Sequence, residues 1–128
     1  TWYHDKSSPY YRNSNAIYIY FGSQSGVSTP LRFVIQYFDD SWLFIESAKI
    51  KVDGKLYNLD SGNWERDNNS SIWEWFDEPL SDRTMIEEII RSKSAIIRFE
   101  GSQYYDTRTI TATQKRALKN VLSAFDNF

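Results

Sequence analysis

Hydrophobic positions alternate with polar or tyrosine positions along several segments, and this two-residue period predicts β-strands. Ile17, Ile19 and Phe21 alternate with Tyr18 and Tyr20 in the first such segment, which ends at Gly22. Further strands are predicted at residues 31–37, 42–52, 56–59, 72–76, 94–101 and 104–110. Asp53-Gly54 predicts a two-residue hairpin between two of them, because both residues tolerate a positive φ.

Two segments have the spacing of an amphipathic helix instead. The first is predicted over residues 82–92, with Ser81 as its N-cap and Asp82 in its first turn. The second follows a capping box made by Thr111 and Gln114. Both helices must bury an apolar stripe, and the sheet offers the only large apolar surface. The predicted fold is therefore α+β: a mainly antiparallel sheet of six or seven strands with two helices packed on one face, a two-layer sandwich.

The chain is predicted to form one domain. Residues 1–15 are polar and irregular, and we expect a loose N-terminal arm or a poorly paired edge segment. Four aromatic residues of this arm can still attach it to the domain: Trp2, Tyr3, Tyr10 and Tyr11. Residues 16–128 form the single α+β domain, in which residues 60–71 are predicted to be a polar loop or a ragged hairpin.

Composition narrows the function. Aromatic residues make up 17% of the 128 residues, and the net charge is −2. The acidic balance argues against nucleic acid as a partner, because nucleic-acid binding usually needs a basic surplus. No apolar run is long enough for a transmembrane segment. Cysteine is absent, which suits an extracytoplasmic location, secreted or anchored at the cell surface, without ruling out the cytoplasm. Any signal peptide or lipid anchor is expected upstream of residue 1.

The aromatic excess supplies the candidate binding residues, which are Trp64, Trp73, Trp75, Tyr104 and Tyr105. Trp73 and Trp75 share one face of their strand, and Glu74 lies on the other. If the helices cover the Glu74 face, the two indoles form an outward platform for a ligand. If they cover the tryptophans, the indoles are core and Glu74 is a surface charge. We favour the second arrangement, because it exposes one charge in place of two indoles.

Catalytic chemistry has weaker support. Glu65 and Glu74 lie beside tryptophans and are the best candidates for a carboxylate-based hydrolase acting on sugars. His4 is the only histidine and lies in the arm, where it is expected to be solvated. Neither a metal site nor a cofactor is predicted: one histidine and no cysteine argue against a transition-metal site, and the Asp39-Asp40 turn lacks the spacing of an EF-hand loop. An irregular Ca²⁺ site made by Asp60, Asp67 and the neighbouring asparagines is a minor alternative. A structural or assembly role remains a further alternative.

The second half of the chain carries the strand IRFEG, a tyrosine and aspartate turn, and the final helix TATQKRALKNVL. Residues 72–126 thereby resemble small extracytoplasmic domains of bacterial lipoproteins, which are generally of unknown function. The resemblance implies location and fold rather than activity, and the chain has no lipid-attachment cysteine. The function expected from residues and resemblance together is a non-catalytic binding domain that engages a carbohydrate, peptide or protein through an aromatic sheet face.

Overall fold

A computed structural model describes residues 1–59 and 63–128 of the protein. The described chain contains ten strands and two helices: β1 (Trp2–Tyr3), β2 (Ala16–Gln24), β3 (Val27–Ser28), β4 (Arg32–Asp39), β5 (Ile45–Val52), β6 (Lys55–Leu59), β7 (Glu65–Asn68), β8 (Ile72–Pro79), α1 (Arg83–Arg91), β9 (Ala95–Gly101), β10 (Tyr105–Thr109) and α2 (Ala112–Asp126). The pairings are antiparallel. The predicted α+β class and antiparallel pairing are confirmed, and β1, β3 and β7 are short additions to the predicted order.

The strands are divided between two sheets. The first has six strands in the order β1-β2-β4-β8-β7, with β3 paired to β2. The second has four, in the order β10-β9-β5-β6. The chain passes from one sheet to the other at Trp42–Leu43–Phe44, which is a loop, so the strand predicted at 42–52 begins only at Ile45. A single continuous sheet was expected because the sequence pattern does not show where one sheet ends.

Both sheets and both helices contribute to one hydrophobic core. The inward side chains of β2, β4 and β8 meet those of β5 and β9, and α1 and α2 add their apolar stripes. Trp64 packs against one ring from each sheet, with its ring centroid 5.0 Å from that of Phe76 and 6.0 Å from that of Phe99. On β2, Phe21 packs against Phe125 of α2. The helices therefore cover the inward side and leave the opposite side of the first sheet for other contacts.

Local signals set the turns and caps. Asp53 and Gly54 have φ values of 46° and 90° and connect β5 to β6, as predicted. The Thr111–Gln114 capping box begins α2, also as predicted. The N-cap of α1 is Asp82 rather than Ser81, because the Asp82 carboxylate accepts the backbone N–H of Met85 at 3.1 Å. Among the described residues, no helix is long and apolar enough to cross a bilayer.

The N-terminal arm contributes a two-residue edge strand to the first sheet. Tyr3 pairs with Phe21 along the edge of the first sheet, and their rings stack with centroids 4.8 Å apart. The segment predicted as a polar loop or ragged hairpin, residues 60–71, is described in part. Its first three residues, Asp60, Ser61 and Gly62, lie outside the described residues, and Glu65–Asn68 forms the edge strand β7.

Candidate functional site

Trp73 and Trp75, for which the sequence allowed either a core or a surface position, lie on the outward face of β8. Ile72, Glu74 and Phe76 are buried, whereas Trp73 and Trp75 are half-buried on the opposite side. The arrangement we favoured, with buried indoles and an exposed Glu74, is therefore wrong. The helices lie on the Glu74 side, so the indoles belong to the outward face.

Glu74 can be buried because its carboxylate is fully hydrogen-bonded. One oxygen, Oε2, accepts the backbone N–H groups of Leu43 and Phe44 at 2.9 and 3.1 Å. The other, Oε1, accepts the N–H of Ile45 at 2.7 Å and Nε of Arg66 at 2.8 Å. Three successive N–H groups form a concave anion site, here filled by a side chain of the same protein. Phe44 has a φ of 54°, a strained value for a residue other than glycine, and these bonds compensate for it.

The proposed catalytic pair does not converge. Glu65 lies opposite Trp75 in the β7–β8 ladder, and Arg66 lies opposite Glu74. Cross-strand partners share a face of the sheet, so Glu65 points outward with Trp75 while Glu74 points into the core. A carboxylate-based hydrolase needs both carboxylates on one cleft. The geometry therefore contradicts the Glu65–Glu74 alternative.

The other candidate residues are dispersed. Trp64 is only 7% exposed and belongs to the core, which removes it from any surface platform. Tyr104 and Tyr105 are exposed, but they lie in the turn and strand of the second sheet. Of the five predicted binding residues, only Trp73 and Trp75 share the outward face of the first sheet.

Arg12 attaches the N-terminal arm to this outward face. Its guanidinium donates to the Tyr18 hydroxyl at 3.0 Å, to Oε1 of Gln36 at 3.3 Å and to Oδ2 of Asp77 at 3.1 Å. It also lies 6.0 Å from the centroid of the Trp75 ring. The buried amide of Gln36 donates in turn to the backbone carbonyl oxygen of Tyr11 at 3.1 Å. One arginine thus joins β2, β4 and β8 to the arm.

Asp77 is the negative centre of the same network. Its carboxylate accepts the Tyr20 hydroxyl at 2.6 Å and Nε of Arg32 at 2.8 Å, in addition to Arg12. The pKa of Tyr20 is raised to about 12, mainly by burial and secondly by the hydrogen bond to Asp77. Burial also raises the pKa of Tyr18, although Arg12 opposes the shift. Both phenols are therefore neutral near pH 7, where they can donate and accept hydrogen bonds but do not act as bases.

The arm and the sheet together form an open cleft of about 360 Å³. Its sheet wall is Tyr18 and Tyr20, and its arm wall includes Trp2, Tyr10 and Arg12. The Trp2 ring packs edge-to-face on Tyr20, with centroids 5.7 Å apart. Gly22 makes this approach possible, since a Cβ there would lie 2.9 Å from the Trp2 indole. We call this cavity, which Pro9 and His4 also line, the arm cleft.

The sequence indicated part of this site. Strand alternation places Tyr18 and Tyr20 on the face of β2 opposite Ile17 and Ile19. It also places Asp77 on the same face of β8 as Trp73 and Trp75. Nothing in the pattern singled out Arg12, because its partners Gln36 and Asp77 lie 24 and 65 positions away in the chain. Within residues 1–59 and 63–128, no group of three or more histidine or acidic side chains is arranged to hold a metal ion.

Comparison with known proteins gives no relative from which a role could be transferred. No protein-family model, no curated protein and no solved structure matches the chain.

Proposed function

We propose that the protein is a non-catalytic binding domain whose ligand stacks in the arm cleft. The observation that carries the proposal is the convergence of four aromatic rings on one open cavity: Trp2, Tyr10, Tyr18 and Tyr20. Ring faces bind flat apolar surfaces, and nearby hydroxyl groups add directional hydrogen bonds. Trp73 and Trp75 extend the aromatic surface along the same side of the sheet.

A carbohydrate is the ligand class that this chemistry favours over a peptide or protein. Arg12 and Arg32 share the Asp77 carboxylate at 3.1 and 2.8 Å, which leaves a surplus of one positive charge, whereas most of the residues that line the cleft are aromatic. Tyr10 is 87% exposed, and its ring packs edge-to-face on that of Tyr11 with centroids 5.6 Å apart. A sugar ring has an apolar face that can stack and hydroxyl groups that can exchange hydrogen bonds with the neutral phenols.

Tyr10 and Tyr104 provide a matched pair for the test. Both rings are exposed, but Tyr10 lines the arm cleft, whereas Tyr104 precedes β10 in the second sheet. The protein should first be titrated with soluble glycan and peptide panels while tryptophan fluorescence and amide NMR shifts are recorded. For a ligand found in this way, Tyr10→Ala should weaken binding about threefold to tenfold, the usual value of one aromatic contact. Tyr104→Ala should change it less than about twofold.

Two outcomes would count against the proposal. The first is a set of panels in which no ligand shifts the resonances of Trp2, Tyr18 or Tyr20. The second is equal weakening by the two alanine variants, which would place the contact outside the cleft.

We also propose an extracytoplasmic location. The absence of cysteine and the resemblance of residues 72–126 to lipoprotein domains support it. Two observations test this location. A signal peptide encoded upstream of residue 1 would support the proposal, and a full-length product found only in the cytoplasm by cell fractionation would overturn it.

A further inference from the structure

The outward face of the second sheet forms a surface separate from the arm cleft. Strand registers place Ile96, Lys51 and Leu56 side by side across β9, β5 and β6, and Arg98 and Lys49 side by side in the next row. Leu56 is 54% exposed and Ile96 is 36% exposed. These side chains line a depression of about 440 Å³, which we call the second-sheet face.

This face is locally cationic on an acidic protein. Three cations line the depression together with one carboxylate, whereas the whole chain has a net charge of −2. Glu100 Oε1 lies 3.1 Å from Nζ of Lys49 and 3.4 Å from Nε of Arg98, so one acid is shared between two bases. The Arg98 guanidinium also lies 3.8 Å from the centroid of the Tyr105 ring. A surplus of positive charge therefore remains across Lys49, Lys51 and Arg98.

Apolar and cationic groups alternate across the strands in one row. Lys51 has Ile96 on one side and Leu56 on the other, and neighbouring strands are spaced about 4.8 Å apart. A ligand that matches this row needs carboxylates and aliphatic groups at similar spacing. An acidic peptide with apolar side chains provides both. A nucleic-acid backbone would leave Leu56 and Ile96 without apolar partners, and a flat bilayer surface does not fill a depression.

We propose that the second-sheet face docks an acidic, aliphatic peptide segment of a partner protein. Carboxylates of the segment pair with Lys51 and Lys49, and its aliphatic side chains pack on Leu56 and Ile96. This interaction adds a second binding surface to the domain, carried by a different sheet from the arm cleft.

The probe is a short synthetic peptide with a Glu-Glu-Leu-Leu repeat, added to the isotope-labelled protein; as an extended strand it presents Glu and Leu in turn on the same face. Amide shifts should move in β5 and β9 while the arm residues stay unchanged. Binding should weaken severalfold when NaCl rises from about 50 mM to about 500 mM, because solvent-exposed charge pairs are screened. A peptide with the matching Lys-Lys-Leu-Leu repeat should bind at least about tenfold more weakly, since it would bring like charges together.

Charge reversal localises the contact. Lys51→Glu should weaken peptide binding about fivefold to tenfold, as an attraction is replaced by a repulsion. Lys119→Glu changes the net charge equally at an exposed position of α2 and should leave binding within about twofold. Leu56→Ser should weaken binding without altering its salt dependence, because it removes apolar contact alone.

The proposal is overturned if the peptide shifts no resonance in β5 or β9, or if the two charge reversals weaken binding equally. It is also overturned if phosphatidylglycerol vesicles or a sulfated oligosaccharide shift these resonances and the peptide does not. Those outcomes would assign the face to a membrane surface or to an anionic polysaccharide.

Discussion

The buried carboxylate of Glu74 gives the sharpest test of how the fold is held together. Glu74→Gln keeps the shape of the side chain but leaves one acceptor oxygen in place of two. Each carboxylate oxygen accepts two donors: Oε2 those of Leu43 and Phe44, and Oε1 those of Ile45 and Arg66. Whichever way the glutamine amide is turned, its NH₂ group therefore faces two donors.

The magnitude follows from the loss of a buried, charge-assisted network. Removing one partner of a buried ion pair costs about 3–5 kcal/mol of unfolding free energy. Arg66 is partly exposed and can be rehydrated, which favours the lower end, about 3 kcal/mol. This is a large share of the about 5–15 kcal/mol by which such domains are stable. With a urea m-value of about 1–3 kcal/mol per M, the denaturation midpoint should fall by at least about 1 M.

The assay is urea denaturation followed by circular dichroism, with Glu65→Gln as the matched control. Glu65 precedes Arg66 in β7 and is exposed on the opposite face, so its substitution should change stability by less than about 0.5 kcal/mol. The amide NMR shifts of Leu43, Phe44 and Ile45 should change in Glu74→Gln and stay unchanged in Glu65→Gln. A stability loss below about 1 kcal/mol in Glu74→Gln would refute the reasoning, because it would mean that the four donors are satisfied without the carboxylate.

Two further predictions concern the network of Asp77 and the cap of α1. The pKa of Tyr20 is raised to about 12, so the stability that its neutral phenol contributes is complete below about pH 10, where an unfolded tyrosine ionises, and is lost as the pH rises towards 12. The free energy of unfolding, measured by urea denaturation at increasing pH, should therefore fall less in Tyr20→Phe than in the unmodified protein over this range. An equal fall in both proteins would contradict the raised pKa of Tyr20. Asp82→Ala should destabilise the protein by about 1 kcal/mol in thermal unfolding, because it removes the hydrogen bond to the backbone N–H of Met85. Ser81→Ala should have little effect. A larger loss of stability in Ser81→Ala than in Asp82→Ala would identify Ser81 as the N-cap.

The amino-acid sequence by itself determined the local elements. Alternation in β2, β4 and β8 is enough to predict strands, and the Asp53-Gly54 turn and the Thr111–Gln114 capping box were recognised from adjacent residues. These features depend on contacts within a few positions of the chain, where residue type and spacing largely decide the conformation. The α+β class followed from their order.

Only the tertiary structure decided which face of β8 is inside. Alternation groups Ile72, Glu74 and Phe76 together, but a carboxylate in that set argued for exposure. Its burial depends on N–H groups contributed by Leu43, Phe44 and Ile45, about thirty residues earlier in the chain. Burying a charge costs several kcal/mol unless such partners are present, and their presence cannot be read from the strand itself. The same is true of the arm cleft, where Arg12 meets Asp77 across 65 positions of sequence. Neighbours in the chain therefore decided the elements, and distant partners that satisfy buried charge decided which aromatic rings reach the surface.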